Sequence, residues 1–306
     1  MAAFAPAVVL LANAVLQQAA PPPLLPDLPE TQIEGVKTDR ENRLTIPVTI
    51  EGQGPFRFII DTGSQKTVLA DRVSTRLGLR SGPIVTVVGV AGTLDVATAE
   101  IDTLGIGTLS VSALQVPLFE SHNIGADGIV GTDSLQDQRV LMDFVANTIA
   151  VGDGSSLGGN RGYEIVVRAH RRSGQLIMTN ADIDGVRTSV IVDTGSGTSV
   201  GNRALQNSLA RRGGITGQVS LLSVTGQRVT ADLGVARKLG IRDIFITNLI
   251  IAFTDTPAFT ELDLDNKPAL FLGMRELRLF RRVAVDFGKR RVMFDLPKTR
   301  QGATID

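Results

Sequence analysis

The chain has 306 residues, no cysteine, only two histidines and 31 basic residues against 31 acidic ones. The lack of cysteine excludes a disulfide scaffold, a thiol nucleophile and every zinc site built on thiolates. With a net charge of zero, the charge balance gives no indication of a nucleic-acid partner. The polar chemistry left to this chain is mostly that of carboxylates.

The N-terminal residues are typical of an exported protein. Phe4 to Leu16 is apolar apart from one asparagine and contains an Ala-x-Ala sequence, so we predict a signal peptide over residues 1–20. Residues 21–40 are proline-rich and are interpreted as a linker or pro-segment. We expect a periplasmic or secreted protein without an integral membrane span in its mature chain. Because no basic residue precedes the apolar run, a cytoplasmic location is the alternative.

Short runs rich in valine, isoleucine, leucine and threonine, separated by glycine, predict an all-β protein with short helices. In chain order the clearest predicted strands are Leu44–Ile50, Phe56–Ile60, Ile84–Val88, Ser110–Val116, Leu176–Ile183, Ser189–Val192, Gln218–Val224 and Ile244–Ala252. Two stretches predict helices instead, because their apolar residues fall on one face before a glycine: Val68 to Leu77 and Ala204 to Leu209.

The chain contains an internal repeat, with four matching segments in the same order. Its halves predict two lobes, residues 41–151 and 162–298, joined by a glycine- and serine-rich linker over 152–161 and followed by a tail, 299–306. The matching segments are Phe58–Ser64 with Val190–Ser196, Val88–Gly92 with Leu222–Gly226, Gly128–Gly131 with Leu270–Gly273, and Leu141–Phe144 with Ala284–Phe287. Asp143 and Asp286 lie in the last pair, and we assign them structural roles in hairpins.

The first repeated segment places an aspartate, Asp61 or Asp193, where an apolar strand ends in a tight turn. A pseudo-twofold axis between the lobes would bring the two turns together. Two adjacent carboxyls share one proton, so one can accept a proton from water while the other donates to a carbonyl oxygen. This pair can hydrolyse an amide without a metal or another cofactor, and we expect neither.

Asp61-Thr62-Gly63-Ser64 and Asp193-Thr194-Gly195-Ser196, each followed by an apolar-apolar-glycine segment, resemble the aspartic peptidases of the pepsin–retropepsin superfamily. The resemblance covers about residues 41 to 298 and implies a bilobal acid-protease fold. In such a fold two barrel-like lobes are related by a pseudo-twofold axis, and the active site lies in the cleft between them. The only tyrosine is Tyr163, outside the flaps, and disulfides are absent, so the chain is most similar to bacterial retropepsin-like enzymes.

The resemblance implies a role for each residue of the two motifs. Asp61 and Asp193 would be the catalytic pair, and Thr62 and Thr194 would bond across the axis. The amides of Gly63 and Gly195 and the hydroxyls of Ser64 and Ser196 would bond the carboxylates. Because hydrogen bonds to a charged carboxylate lower its pKa, we expect a mildly acidic activity optimum. The flap tips that close over substrate would be Gly89, Val90, Ala91 and Gly92 in the first lobe and Ser223, Val224, Thr225 and Gly226 in the second.

These features predict an aspartic endopeptidase that acts on an extended polypeptide. Since both lobes are in one chain, we expect a monomer. A catalytically silent peptide-binding module of the same fold is the alternative, and loss of one aspartate or glycine would favour it. A glycosidase with two carboxylates is a third hypothesis, but two matching tetrapeptides argue against the unequal roles that this chemistry needs.

Overall fold

The computed structural model describes residues 8–10, 32–33, 37–38, 43–210 and 215–297. The structure is mainly β with few short helices, which confirms the predicted fold class. Strands of the first half are β1 (Val8–Leu10), β2 (Gln32–Ile33), β3 (Lys37–Thr38), β4 (Leu44–Ile50), β5 (Gln53–Ile60), β6 (Val68–Ala70), β7 (Ser81–Gly89), β8 (Gly92–Ile106), β9 (Leu109–Phe119), β10 (Gly128–Val130), β11 (Arg139–Asp143) and β12 (Thr148–Gly152).

The second half repeats this order of elements. Its strands are β13 (Ile165–Arg168), β14 (His170–Arg172), β15 (Gln175–Ile183), β16 (Val186–Val192), β17 (Ser199–Gly201), β18 (Ile215–Leu222), β19 (Arg228–Ile241), β20 (Ile244–Phe253), β21 (Ala269–Leu272), β22 (Arg282–Asp286) and β23 (Arg291–Asp295). The helices of the two halves are α1 (Asp71–Leu77), α2 (Ser121–Ile124), α3 (Arg203–Leu209), α4 (Pro257–Glu261) and α5 (Met274–Leu277).

Each half folds into a lobe around one curved sheet. The first lobe has the strand order β3-β4-β5-β10-β6-β9-β8-β7, and an extra pairing of β4 with β8 closes the sheet on itself. The second lobe has the order β1-β20-β17-β21-β16-β15-β19-β18, with an extra pairing of β19 with β20 and with β14 attached to β15. In both lobes the motif strand, β5 or β16, runs parallel to a short apolar strand, β10 or β21. That parallel pairing buries the motif strand on both faces, which accounts for its continuous apolar run.

The predicted helix over Val68 to Leu77 is wrong at its start. Val68–Ala70 forms the buried strand β6, which pairs with β9 and β10, and the helix α1 begins only at Asp71. The helix ends at Gly78, whose φ of 61° lies in the left-handed region that glycine adopts without strain. Three consecutive apolar residues fit either a buried strand or one helix face, so their pattern alone does not separate the two.

Several predicted segments lie wholly or mostly outside the described residues. They are the signal peptide 1–20 apart from Val8–Leu10, the pro-segment 21–40 apart from Gln32–Ile33 and Lys37–Thr38, and the tail 299–306. Export and the lobe boundaries therefore stay predictions. Among the described residues, no helix has the length and apolar character that crossing a bilayer requires.

A third sheet joins the two lobes and contains the closing hairpin of each half, β11–β12 and β22–β23. Its order is β13-β23-β22-β11-β12-β2, so the closing hairpin of each half contributes two adjacent strands. β11 and β22 pair antiparallel with Leu141 opposite Ala284, which places the pseudo-twofold axis between these two residues. The same register sets Arg139 opposite Asp286 and Asp143 opposite Arg282.

The two symmetric acid positions of this sheet have different partners. Arg139 is fully buried and donates to Asp286 from Nε at 3.0 Å and from Nη2 at 2.6 Å. Asp143 instead accepts hydrogen bonds from the amides of Val145 and Ala146 in its own turn. Sequence analysis predicted the same structural role for Asp143 and Asp286, as acids in hairpins. Of these two residues, only Asp286 forms a buried ion pair between the lobes.

We expect Asp286→Ala to lower the free energy of unfolding by about 3 to 5 kcal/mol, because it leaves the Arg139 charge buried without its partner. Urea unfolding measures the change. Asp143→Ala at the symmetric position is the matched control and should cost no more than about 1 to 2 kcal/mol, since only turn hydrogen bonds are lost. Equal losses in the two variants would contradict a special role for the ion pair.

Candidate active site

The strand pairs at the centre of each lobe position the two aspartates. Asp61 follows β5, and its amide donates to the carbonyl of Val130 at 3.0 Å; Asp193 follows β16, and its amide donates to the carbonyl of Leu272 at 3.0 Å. The next residue in each partner strand is a glycine because the chain passes very close to the motif turn. A Cβ at Gly273 would lie 2.7 Å from the carbonyl carbon of Thr198.

The two carboxyl groups meet between the lobes and are hydrogen-bonded to each other. The Gly63 amide donates to Asp61 Oδ1 at 2.8 Å, and the Gly195 amide donates to Asp193 Oδ1 at 2.9 Å. Each glycine also lies against the opposite carboxyl group, since a Cβ at Gly63 would stand 2.7 Å from Asp193 Oδ1. Any other residue would push the pair apart.

Thr62 and Thr194 form a reciprocal lock beneath the carboxyl groups. The Thr62 hydroxyl donates to the carbonyl of Val192 at 2.7 Å, and the Thr194 hydroxyl donates to the carbonyl of Ile60 at 2.6 Å. Each hydroxyl also accepts from the amide of the opposite threonine, at 3.0 and 3.4 Å. Both side chains are buried, so these bonds hold the motif turn of one lobe on the other without competition from water.

The expected contacts of the two serine hydroxyls are wrong. Ser64 Oγ donates to the carbonyl of Lys66 at 2.9 Å, and Ser196 Oγ donates to the carbonyl of Thr198 at 2.7 Å. The glycine amides donate to the carboxylates, and the Ser64 amide donates to the main-chain carbonyl of Asp61 at 3.4 Å. Each serine hydroxyl bonds the main-chain carbonyl two residues later in its own turn. This local hydrogen bond competes with a hydrogen bond from the same hydroxyl to the aspartate.

The surroundings favour the protonated form of the pair. Both side chains are partly accessible from the cleft, yet protein encloses most of each carboxyl group. This desolvation raises the pKa of Asp61, against the lowering effects of the Gly63 amide and of the Arg43 charge. Desolvation and then the neighbouring Asp61 charge raise the pKa of Asp193. The pair therefore holds at least one proton at a pH where two ordinary carboxyls would be ionised.

Both predicted flap tips lie at the ends of hairpins and touch each other. Gly89–Gly92 closes β7 onto β8, and we call this hairpin end the first flap tip. Ser223–Gln227 closes β18 onto β19 and forms the second flap tip. A Cβ at Gly89 would stand 3.0 Å from Ser223 Oγ, so the tips are in contact. Val224, predicted at the end of a strand, lies within the second tip.

A cavity of about 390 Å³ lies between the first flap and the second flap tip. Apolar residues from β8 and β9 form one wall, and polar residues from the second flap tip and from α2 form another. The lining includes Leu94, Val96, Phe119, Asn123 and Thr225. Residues of both lobes thus share one concave surface.

One family model, described as aspartyl protease, matches residues 46–134. The matched segment contains Asp61, the first flap tip and the glycine segment that ends at Gly131. Over these residues the first lobe is similar to the aspartyl proteases. No curated protein matches the chain significantly. The second lobe lies outside the matched segment and is related to the first by the internal repeat and by the matching strand order.

In the described part of the chain, no group of three or more histidine, aspartate or glutamate side chains is arranged to hold a metal ion. His122 is exposed, lies 3.2 Å from Glu120 and, with Glu120, lines the cavity beside the second flap tip.

Sequence analysis missed two residues beside the protease motifs. Arg43 and Gln175 are buried and occupy the same position in the two lobes, 132 residues apart, as do Thr62 and Thr194. The side-chain amide of Gln175 donates to the carbonyl of Gly63 in the opposite lobe. The internal repeat could have identified them, because Arg43 precedes Asp61 by the same number of residues as Gln175 precedes Asp193. They were missed because the two residue types differ.

We expect Thr62→Val to lower the free energy of unfolding by about 1 to 3 kcal/mol, because it leaves a buried carbonyl and a buried amide without their partner. Thr62→Ser, which keeps the hydroxyl, should retain most of the stability. Urea unfolding of both variants measures the difference. A valine variant as stable as the serine variant would show that the lock contributes nothing.

We also expect Asp193→Asn to unfold at a higher temperature than the unmodified protein at alkaline pH. The pKa of Asp193 is raised by folding, so the stability that its proton provides is present at acid pH and is lost as the pH rises through the raised value. Asparagine removes this loss. At a pH below the ordinary carboxyl pKa of about 4, the two proteins should melt together. Asp243→Asn, in an exposed turn, is the control and should show no such difference.

Proposed function

We propose that this protein is an aspartic endopeptidase in which Asp61 and Asp193 together activate water. The observation that carries the proposal is the hydrogen-bonded carboxyl pair, which two lobes build from matching motifs. The aspartyl protease family match of the first lobe supports the reaction class. The raised pKa of both carboxyls supports a pair that holds one proton at working pH.

The single shared proton allows acid and base catalysis in one step. The ionised carboxylate removes a proton from water as the water oxygen bonds to the peptide carbonyl carbon, and the protonated carboxyl donates its proton to the carbonyl oxygen. In the second step the amide nitrogen takes a proton, the C–N bond breaks and a carboxylic acid and an amine leave. The pair then again holds one proton.

The closed flaps define how the substrate would bind. An extended peptide would pair its main chain with the flap hairpins and place alternate side chains toward each lobe. Because Gly89 of the first flap tip contacts Ser223 of the second, a polypeptide that binds between the flap tips requires them to separate. The cavity beside Leu94 and Thr225 is large enough for one side chain of such a peptide.

The two alternatives from the sequence are less well supported. A silent peptide-binding module would not need a carboxyl pair that shares a proton, because burying such a pair costs stability. A glycosidase needs an acid and a nucleophile or base in unlike surroundings and at a set separation. Asp61 and Asp193 instead bond each other and accept from equivalent glycine amides.

We expect Asp61→Asn and Asp193→Asn each to lower the rate of peptide cleavage about 100-fold or more, because each removes a group that transfers a proton. The measurement is cleavage of a peptide library from about pH 3 to pH 9, a range that spans ordinary and raised carboxyl pKa values. A statine-type inhibitor should block the unmodified protein, and Asp243→Asn should cleave normally. Cleavage that survives either active-site change would reject the proposal.

The same profile tests the expected mildly acidic optimum. That expectation rested on serine hydroxyls bonding the carboxylates, and those hydroxyls bond main-chain carbonyls instead. Since desolvation raises the pKa of both carboxyls, the active singly protonated pair should persist toward neutral pH.

A further inference from the structure

We infer that Arg43 makes the two carboxyls unequal, so that Asp61 is the ionised group that accepts the proton of water and Asp193 is the protonated group that donates to the carbonyl oxygen. This assignment rests on the proposed function. It concerns Arg43 as a positioning residue, because the guanidinium acts on the reaction through Asp61.

The strand register places Arg43 opposite Asp61. In the pair β4–β5, Thr45 lies opposite Ile59; extending this antiparallel register by two residues, to one residue beyond each strand, sets Arg43 opposite Asp61. In the pair β15–β16, Ile177 lies opposite Ile191, and the same two steps bring Gln175 opposite Asp193. The cross-strand neighbour is therefore a cation in the first lobe and a neutral amide in the second.

Both neighbours are fixed in place. Arg43 is 7% exposed, and its Nη2 donates to the carbonyl of Ile124 at 2.8 Å. Gln175 is 2% exposed, and its Nε2 donates to the carbonyl of Gly63. A buried guanidinium keeps its charge at all working pH values, whereas a glutamine contributes only a dipole. The difference in charge between the two lobes is thus permanent.

One charge beside the pair distinguishes the two carboxyls. The guanidinium of Arg43 stabilises the carboxylate of Asp61. The repulsion between Asp61 and Asp193 is mutual, so it limits the pair to one charge without choosing which carboxyl carries it. The amides of Gly63 and Gly195 bond the two carboxyls equivalently and do not separate them. Of these groups, only the Arg43 guanidinium has no charged counterpart in the second lobe.

The chemistry follows from this charge difference. Asp61 takes a proton from water as the new C–O bond forms, and Asp193 gives its proton to the carbonyl oxygen. When the C–N bond breaks, the nitrogen takes the proton held by Asp61, and Asp193 recovers a proton from a hydroxyl of the tetrahedral intermediate. Peptide and water are consumed, a carboxylic acid and an amine are released, and the starting charges return.

Arg43→Gln tests the assignment, because it gives the first lobe the residue that the second lobe already carries at this position. Loss of the cation should move the acidic limb of the kcat/KM profile upward by about one pH unit. Arg43→Lys keeps the charge and should leave the limb near its original position. Thermal melting of each variant shows whether it folds.

Carbon-13 NMR titration of labelled aspartate carboxyls supplies a readout that does not depend on cleavage, with the signals assigned from Asp61→Asn and Asp193→Asn. In the unmodified protein the Asp61 carboxyl should ionise at the lower pH, and in Arg43→Gln this order should weaken or disappear. An unchanged titration and an unchanged acidic limb in folded Arg43→Gln would overturn the inference. Equal changes in Arg43→Gln and Arg43→Lys would overturn it as well, since charge would not be the cause.

Gln175→Arg is the complementary variant, and it tests the inference even where Arg43→Gln does not fold. A cation opposite Asp193 should bring its ionisation to lower pH and move the alkaline limb of the profile downward. A folded Gln175→Arg protein with an unmoved Asp193 titration would contradict the inference. An unmodified protein that cleaves no peptide, but whose Asp61 titration responds to Arg43, would reject the proposed function and leave the charge assignment standing.

Discussion

The structure depends on the cost of holding two carboxyl groups against each other inside a protein. Two ionised carboxylates in contact repel strongly where water is scarce, so the arrangement is stable only with a shared proton and with donors fixed around it. The main chain supplies those donors through the amides of Gly63 and Gly195. The direction of a backbone amide is set by the conformation of its turn, so the two motif turns must be held rigidly for the amides to bond the carboxyls. The reciprocal hydrogen bonds of Thr62 and Thr194 hold the turns in this way.

Several separate sets of contacts hold the two lobes together. The six-stranded sheet joins them through continuous backbone pairing of β11 with β22 and through the buried ion pair of Arg139 with Asp286. The threonine lock joins them again at the motif turns. The flap tips join them a third time, through the contact of Gly89 with Ser223. This contact involves a glycine and a small polar side chain, in contrast to the extended backbone pairing of the sheet.

Much of this architecture was predictable from the sequence because the repeat marks equivalent positions. The motif turns, the flap tips and the closing hairpins all recur in order, and periodicity predicted β4 over Leu44–Ile50 as the structure has it. Contacts between distant segments were not predictable. The partner of a buried acid such as Asp286, or the direction of the Ser64 hydroxyl, depends on which neighbour comes closest, and a repeat says nothing about that. Val68–Ala70 was misassigned because three apolar residues carry no periodicity.

Fusion of the two lobes in one chain explains how equivalent motifs can perform unequal chemistry. In a dimer of identical subunits, a cation beside one aspartate would also stand beside the other, and its effect on the two would cancel. In a fused chain the halves can differ, as Arg43 and Gln175 do. The motifs themselves must stay alike because each glycine lies against the opposite carboxyl and each threonine bonds the opposite strand. Sequence differences between the two lobes are therefore expected on the strand beside each motif strand. There a side chain can change the charge near the carboxyl pair without disturbing the motif geometry that holds the pair.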